Sequence, residues 1–201
     1  MPSIELIAVV PDKEYMELTL KAIRKSIDIF NPFADIKIIC PQNASVRHEF
    51  TESNAEFTYN TYSEFMIKRL HEFVKHEFCI CMQWDSCIID NSKWTEDFLN
   101  YDYIGSPWTN PWINRVGCGG FSLRSQKLLE LSSKLEYKKT DNFILNNEDV
   151  VICLLNYENL VRQGIKFAPL SLARQFSVER PIVESPHDYN DLATYNSFGF
   201  H

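Results

Sequence analysis

Short, nearly unbroken apolar runs alternate along this chain with stretches whose apolar residues return every three or four positions. The first run, Ile4-Glu5-Leu6-Ile7-Ala8-Val9-Val10, stops at Pro11 and predicts a buried strand. Met16, Leu20, Ile23, Ile27 and Phe30 then recur at spacings of four and three, the period of an amphipathic helix. Asn31-Pro32 ends it, because the residue before proline is pushed out of helical backbone. Ile36 to Cys40, closed by Pro41, reads as a second strand. Strand, helix and strand in this order imply a parallel pair with a right-handed crossover.

Thr61 with Glu64 matches a capping box, and Tyr62, Met66, Leu70 and Phe73 line one helical face behind it. Phe78 to Met82 is a continuous apolar strand suited to the centre of a covered sheet. It runs into Gln83-Trp84-Asp85-Ser86, and ligands of open α/β sheets bind beyond the carboxyl ends of strands. Tyr101 to Trp108 predicts a strand entering a loop, and Val116 to Arg124 a glycine loop feeding another strand. Ser125 can cap a helix carrying Leu128, Leu129 and Leu135. A further helix is expected from Asn147 to Gly164, with Glu148 and Asp149 in its first turn. Ile165 to Ala168 gives a last short strand. The tail from Arg174 to His201 has little periodicity and is expected to wrap over a site or lead into more protein.

The pattern is that of an α/β fold with a mixed, mostly parallel sheet flanked by helices. With 201 residues, no repeat and no linker, one domain over 1–201 is expected, whether or not it is the N-terminal part of a longer protein. Charge narrows the partners. Twenty Lys and Arg against 27 Asp and Glu leave −7, which argues against a nucleic-acid partner. A phosphate ligand stays open, because a cation or a few local donors can supply positive charge. The six cysteines, Cys40, Cys79, Cys81, Cys87, Cys118 and Cys153, form no C-x-x-C pair and are expected to be reduced core residues. No transmembrane run and no signal peptide are read, so a cytoplasmic location is expected; an excised catalytic domain would read the same way.

Four features could carry chemistry. Asp85, at a strand end, either helps hold a hard divalent cation or caps a turn. Glu148-Asp149 could provide a base for a hydroxyl, or only complement the helix dipole. His201 is a competent ligand for Mn²⁺-like ions, or simply a chain end. Gly117, Gly119 and Gly120 let backbone approach a ligand or make a tight turn, and they match neither a dinucleotide fingerprint nor a P-loop.

The order of these features resembles a family of uncharacterised sugar-transferase-like proteins (DUF5672-like). Its pattern is Q-x-D, then Y-D-Y-I-G-A-P-W, then G-N-G-G-F-S-L-R. Here Gln83-Trp84-Asp85, Tyr101 to Trp108, and Gly117 to Arg124 follow it, with Cys118 standing where the pattern has Asn. Glu148-Asp149-Val150, Ala173 with Phe176-Ser177-Val178-Glu179, and Phe198-Gly199-Phe200-His201 continue the match. The resemblance implies the GT-A glycosyltransferase fold and a nucleotide-sugar donor, UDP-type first, with Mn²⁺ or Mg²⁺. It implies metal binding by Asp85 and His201, with Gln83 in place of the first acid of a D-x-D and Trp84 between them. Asp149, or else Glu148, would be the base of an inverting transfer to a glycan or other hydroxyl. Val9, Val10 and Pro11 would lie against the nucleotide base, and Gly119-Gly120 against the donor sugar. Acceptor choice would lie in the loop from Trp108 to Arg115.

Two other classes remain. A sugar-phosphate nucleotidyltransferase shares the fold, but Pro11-Asp12-Lys13-Glu14 lacks the expected basic glycine loop. A non-catalytic carbohydrate or nucleotide-sugar binder could use Trp84, Trp94, Trp108 and Trp112 as platforms.

Overall fold

In the computed structural model, which describes residues 3–108, 116–179 and 196–201, the first apolar run forms strand β1 (Ile4–Val9), buried along its whole length. Its alternate residues enter two different cores. Leu6 and Ala8 join the larger apolar cluster, while Ile7 and Val9 join a second one on the opposite face. A strand covered on both faces has no solvent side, which is why the sequence shows an unbroken run. Glu5 is the exception, fully buried with Lys37 Nζ at 2.8 Å and the His76 N–H at 2.8 Å.

Helix α1 (Met16–Ile29) makes the crossover to β2 (Asp35–Cys40), which lies parallel to β1. Met16, Leu20 and Ile23 face the sheet, and the backbone becomes extended at Phe30, ahead of Asn31-Pro32. Strand β3 (Thr51–Asn54) joins the far side of β2 in parallel. Helix α2 (Tyr62–Lys68) then leads to β4 (Phe78–Met82), which pairs parallel with β1. Beyond the two-residue β5 (Cys87–Ile88), strands β6 (Tyr103–Gly105) and β7 (Phe121–Ser125) run antiparallel to one another, β7 against β4. The order β3-β2-β1-β4-β7-β6 is a mixed, mostly parallel sheet.

The second half adds α3 (Gln126–Ser132), α4 (Glu148–Val150), α5 (Tyr157–Arg162) and α6 (Leu170–Phe176). Ser125 caps α3 by accepting from the Leu128 N–H at 3.1 Å. Strands β8 (Ser177–Val178) and β9 (Gly199–Phe200) join β5 in a small sheet ordered β5-β9-β8.

Several expectations need correction. The single helix from Asn147 to Gly164 is three pieces: α4, a π-helical turn at Val151–Leu155, and α5. The Asn156 N–H reaches back five residues to the Val151 carbonyl at 3.0 Å, and this extra residue breaks the 3.6-residue period. The capping box forms between Thr58 and Thr61, one turn ahead of the predicted Thr61–Glu64 pair. The start of the aperiodic tail is the end of α6, and Ile165 to Ala168 contributes only an isolated bridge between Phe167 and Tyr103. The six cysteines are free and buried.

Phe198 fixes the returning C-terminal segment. It is fully buried, with ring contacts to Phe30 at 5.0 Å and Trp94 at 5.1 Å and further contacts to Phe98, Phe121 and Phe176. Phe198→Ala should lower stability by about 3–5 kcal/mol. Urea denaturation checks it, and a loss below about 1 kcal/mol would mean that the segment is held by its backbone pairing alone.

Candidate functional site

Topology brings four distant stretches to one edge. Strands β1 and β4 are parallel, so Val9-Val10-Pro11 and Gln83-Trp84-Asp85 emerge side by side. Strand β7 runs the other way, so its entrance arrives at that edge: Met82 faces Phe121, and the Gln83 N–H donates to the Gly120 carbonyl at 2.9 Å. Strand β9 lies antiparallel to β5 with Cys87 opposite Phe200, which sets His201 beside the Asp85 turn. The His201 N–H is tied to the Val178 carbonyl at 3.2 Å.

The result is a cleft of about 470 Å³, within the size range of small-ligand sites. Val9, Val10, Pro11, Gln83, Trp84 and Asp85 line one side. Gly119, Gly120, Glu148, Asp149 and His201 also line the cleft, so of the residues singled out as chemical features only Gly117 lies outside this space.

His201 Nε2 stands 3.4 Å from Asp85 Oδ1 and 3.1 Å from Gln83 Oε1. Gln83 is oriented from behind, its Nε2 donating to the Tyr62 hydroxyl at 3.1 Å, so its oxygen is presented to the imidazole. Gly120 makes this possible, since a Cβ there would fall 2.1 Å from His201 Nε2. Burial disfavours a charged His201, but hydrogen bonds to Asp85 and Cys118 outweigh it and push its pKa up to about 10. Burial likewise opposes ionisation of Asp85, and the His201 partner wins, holding the carboxyl below its usual range. A proton therefore holds the two side chains together.

Across the glycine loop the two acids differ. Glu148 is buried and ion-paired with the fully buried Arg124, Nη2 to Oε1 3.1 Å, while Arg124 also lies over the Tyr103 ring at 5.6 Å. Gly119 leaves room for this pair, since a Cβ there would sit 2.0 Å from Glu148 Oε1. Asp149 is only partly buried and accepts from the Gly119 N–H at 3.3 Å. Burial, then the charge of Glu148, push its pKa up to about 6, against the pull of the Val150 and Gly119 amides and Arg124. One acid is neutralised by a buried cation, and the other is poised near neutral pH.

Among the described residues, Trp84, Trp94 and Trp108 do not form a shared platform. Trp94 packs among Phe30, Phe98 and Phe198, and the Trp108 ring lies against Gly117, where a Cβ would sit 1.9 Å away. Trp112 lies outside the described residues, as do residues 109–115 of the acceptor loop expected from Trp108 to Arg115. Trp84 alone of the described three faces the cleft, 42% exposed and stacked on Tyr15 at 5.6 Å. Sequence reasoning gave no role to Tyr15, Tyr59, Tyr62 or Glu179, which also line the cleft. Tyr62 was legible only as a core-facing helix position, because nothing in its local period shows that Gln83 lies opposite.

Comparisons with known proteins agree with this frame. The structure is similar to the mannosyltransferase PcManGT of Pyrobaculum calidifontis, solved with GDP-Man and Mn²⁺, with TM-score 0.53 at 10% identity over 84% of this chain and 55% of that one. The apo glycosyltransferase GlyE of Streptococcus pneumoniae TIGR4 gives TM-score 0.53 at 10% identity over 99% and 54%. An active-site mutant of LgtC gives TM-score 0.52 at 10% identity over 98% and 86%. The chain thus spans about half the length of the first two. No curated protein matches in sequence. Among the described residues, no helix is long and apolar enough to cross a membrane. Likeness at this identity establishes a GT-A glycosyltransferase fold, and residues 45–201 match the family described as "Protein of unknown function (DUF5672)", to which this chain belongs.

Proposed function

We propose that this protein is a metal-assisted glycosyltransferase that moves a sugar from a nucleoside diphosphate, UDP-type first, to an acceptor hydroxyl with inversion. One observation carries the reading: Asp85 Oδ1 and His201 Nε2 converge to 3.4 Å in the same cleft as Asp149. Adjacent ligands of an octahedral cation at about 2.0–2.1 Å stand about 2.9 Å apart, so a closure of about 0.5 Å fits a cation between them. Gln83 Oε1 offers a neutral third oxygen. Mn²⁺ or Mg²⁺, when bound, supplies charge neutralisation for the departing diphosphate.

The chain's own residues account for the remaining tasks. Val9, Val10 and Pro11 offer an apolar edge for the nucleotide base, extended by the Tyr15–Trp84 stack. Gly119 and Gly120 let the donor sugar approach backbone. Asp149 takes the acceptor proton as the acceptor oxygen bonds to the anomeric carbon and the bond to the diphosphate breaks on the opposite face. Glu148 keeps Arg124 paired and so supports the loop from below.

Asp85→Ala should abolish Mn²⁺-dependent nucleotide binding and leave the fold intact, since its side chain is 41% exposed. Calorimetry with UDP-, GDP-, dTDP- and CMP-sugars checks it. For the wild type, ligand at a hundredfold over Kd adds about 2.7 kcal/mol, a thermal shift of about 5–10 °C. Unchanged metal-dependent affinity in the variant would make Asp85 a turn residue. Binding without turnover by any donor would leave a nucleotide-sugar binder.

A further inference from the structure

The proposed donor site uses only one edge of the His201 ring. Nε2 faces Asp85 and Gln83, while Nδ1 lies 3.1 Å from Cys118 Sγ. Glu179 adds a carboxylate oxygen, and Cys118, Glu179 and His201 each offer a ligand atom within 4.8 Å of the others. The small sheet builds this grouping. Strands β8 and β9 are parallel with Val178 opposite Phe200, so the residues that follow, Glu179 and His201, leave the sheet side by side. Cys118 comes from the loop before β7 with φ +42, a left-handed backbone unusual for a residue other than glycine. It is buried, yet like Cys87 it belongs to neither apolar cluster, unlike Cys40, Cys79, Cys81 and Cys153. Packing therefore does not account for it as it does for those four.

We propose that Cys118, Glu179 and His201 form a site for a thiophilic divalent cation of the Zn²⁺ class, on the edge of the imidazole turned away from Asp85. With Zn–S at about 2.3 Å and Zn–N at about 2.0 Å, tetrahedral neighbours stand about 3.5 Å apart. The Sγ–Nδ1 distance of 3.1 Å needs only a small opening to reach that. A thiolate selects soft or borderline cations over Mg²⁺ and Ca²⁺, which take oxygen. On binding, the Cys118 thiol proton leaves to solvent, and with it the Nδ1 proton of a protonated His201, so that a thiolate and a neutral imidazole face the cation. The fourth position faces the cleft and is free for water or a ligand oxygen.

A consequence, which alone rests on the proposed function, is competition for His201. A neutral imidazole coordinates through one nitrogen and carries its proton on the other. With Nδ1 on the thiophilic cation, Nε2 becomes an N–H aimed at Gln83 Oε1 and Asp85, and it is lost to the donor cation. Zn²⁺ should therefore weaken Mn²⁺-dependent nucleotide binding.

The test is a Co²⁺ titration of the full chain without nucleotide, followed by absorbance. Wild type should gain a near-ultraviolet thiolate-to-cobalt charge-transfer band that saturates at one equivalent and is erased by Zn²⁺. Cys118→Asn, which tolerates the left-handed backbone, should lose the band while keeping its thermal unfolding transition; Cys118→Ser serves as a second variant. Glu179→Gln should weaken cobalt affinity by at least about tenfold, since even loss of an outer-shell partner costs about 10–100-fold. Asp85→Ala should keep the band. A wild-type spectrum without the band, or a band that survives in both Cys118 variants, overturns the site. A band lost in Asp85→Ala overturns the separate edge. Absence of Mn²⁺-dependent nucleotide binding would defeat the donor reading and leave this result standing.

Discussion

Replacing Asp149 by asparagine is expected to lower sugar transfer by about 10²–10⁴-fold while donor binding persists. Asparagine keeps the shape and can still accept from one of the two N–H groups, Gly119 or Val150, that Asp149 accepts from, but it cannot take up a proton. Burial and the neighbouring Glu148 raise the wild-type carboxyl to about 6, so the base is available only above that pH. Wild-type kcat should rise through about pH 6 and then level off, and the variant should lose that limb. The stability sign follows from the same shift. A folded pKa raised above the unfolded value of about 3.9 stabilises below about pH 4, and that stabilisation is lost as pH rises through about 6. Asp149→Asn should therefore unfold at higher temperature than wild type at neutral pH, with the gap narrowing in acid. Normal turnover in Asp149→Asn with loss in Glu148→Gln would exchange the two roles. Normal turnover in both would leave Asp149 a helix-terminus residue and Glu148 only the partner of Arg124.

The second large effect is on folding. Glu148→Ala should cost about 3–5 kcal/mol, because it strands a buried guanidinium. Arg124 is fully buried; Nη2 would keep only the Gly119 carbonyl at 3.3 Å, and Nη1 already has no hydrogen-bond partner among the described residues. Removing both charges, in Arg124→Met with Glu148→Leu, should recover most of the loss, since a well-packed apolar pair is often as stable as a buried ion pair. Urea denaturation of Arg124→Met, Glu148→Leu and the double variant forms the cycle. Additive losses would show that Glu148 and Arg124 contribute independently. That outcome would also free Glu148 to act as a base.

Together these outcomes separate two adjacent acids that the primary structure presents as equals. In sequence, Glu148 and Asp149 differ only by a methylene and by one position. Their different surroundings come from Arg124, a residue on β7 whose side chain reaches Glu148 and the Gly119 carbonyl. Nothing in the local pattern around Arg124 shows that it is buried, or that α4 delivers the Glu148 carboxylate to it.

The amino-acid sequence by itself determined the elements whose stabilisation is local. The unbroken runs of β1 and β4, the three-four spacing of α1, the Asn31-Pro32 stop and the Ser125 cap each depend on neighbours within about one helical turn or on a single apolar strand. The strand-end position of Asp85 followed from the same patterns. What only the tertiary structure decided depends on pairing between distant segments. The antiparallel entry of β7, the two-residue strands β5, β8 and β9, and the π-turn at Val151–Leu155 leave no period to read. Yet β9 is what carries His201 to Asp85, and β8 is what sets Glu179 beside it. Two-residue strands owe their existence to the sheet and aromatic core they dock against, with Phe198 as the anchor. Their positions are set by long-range burial, which no local pattern encodes.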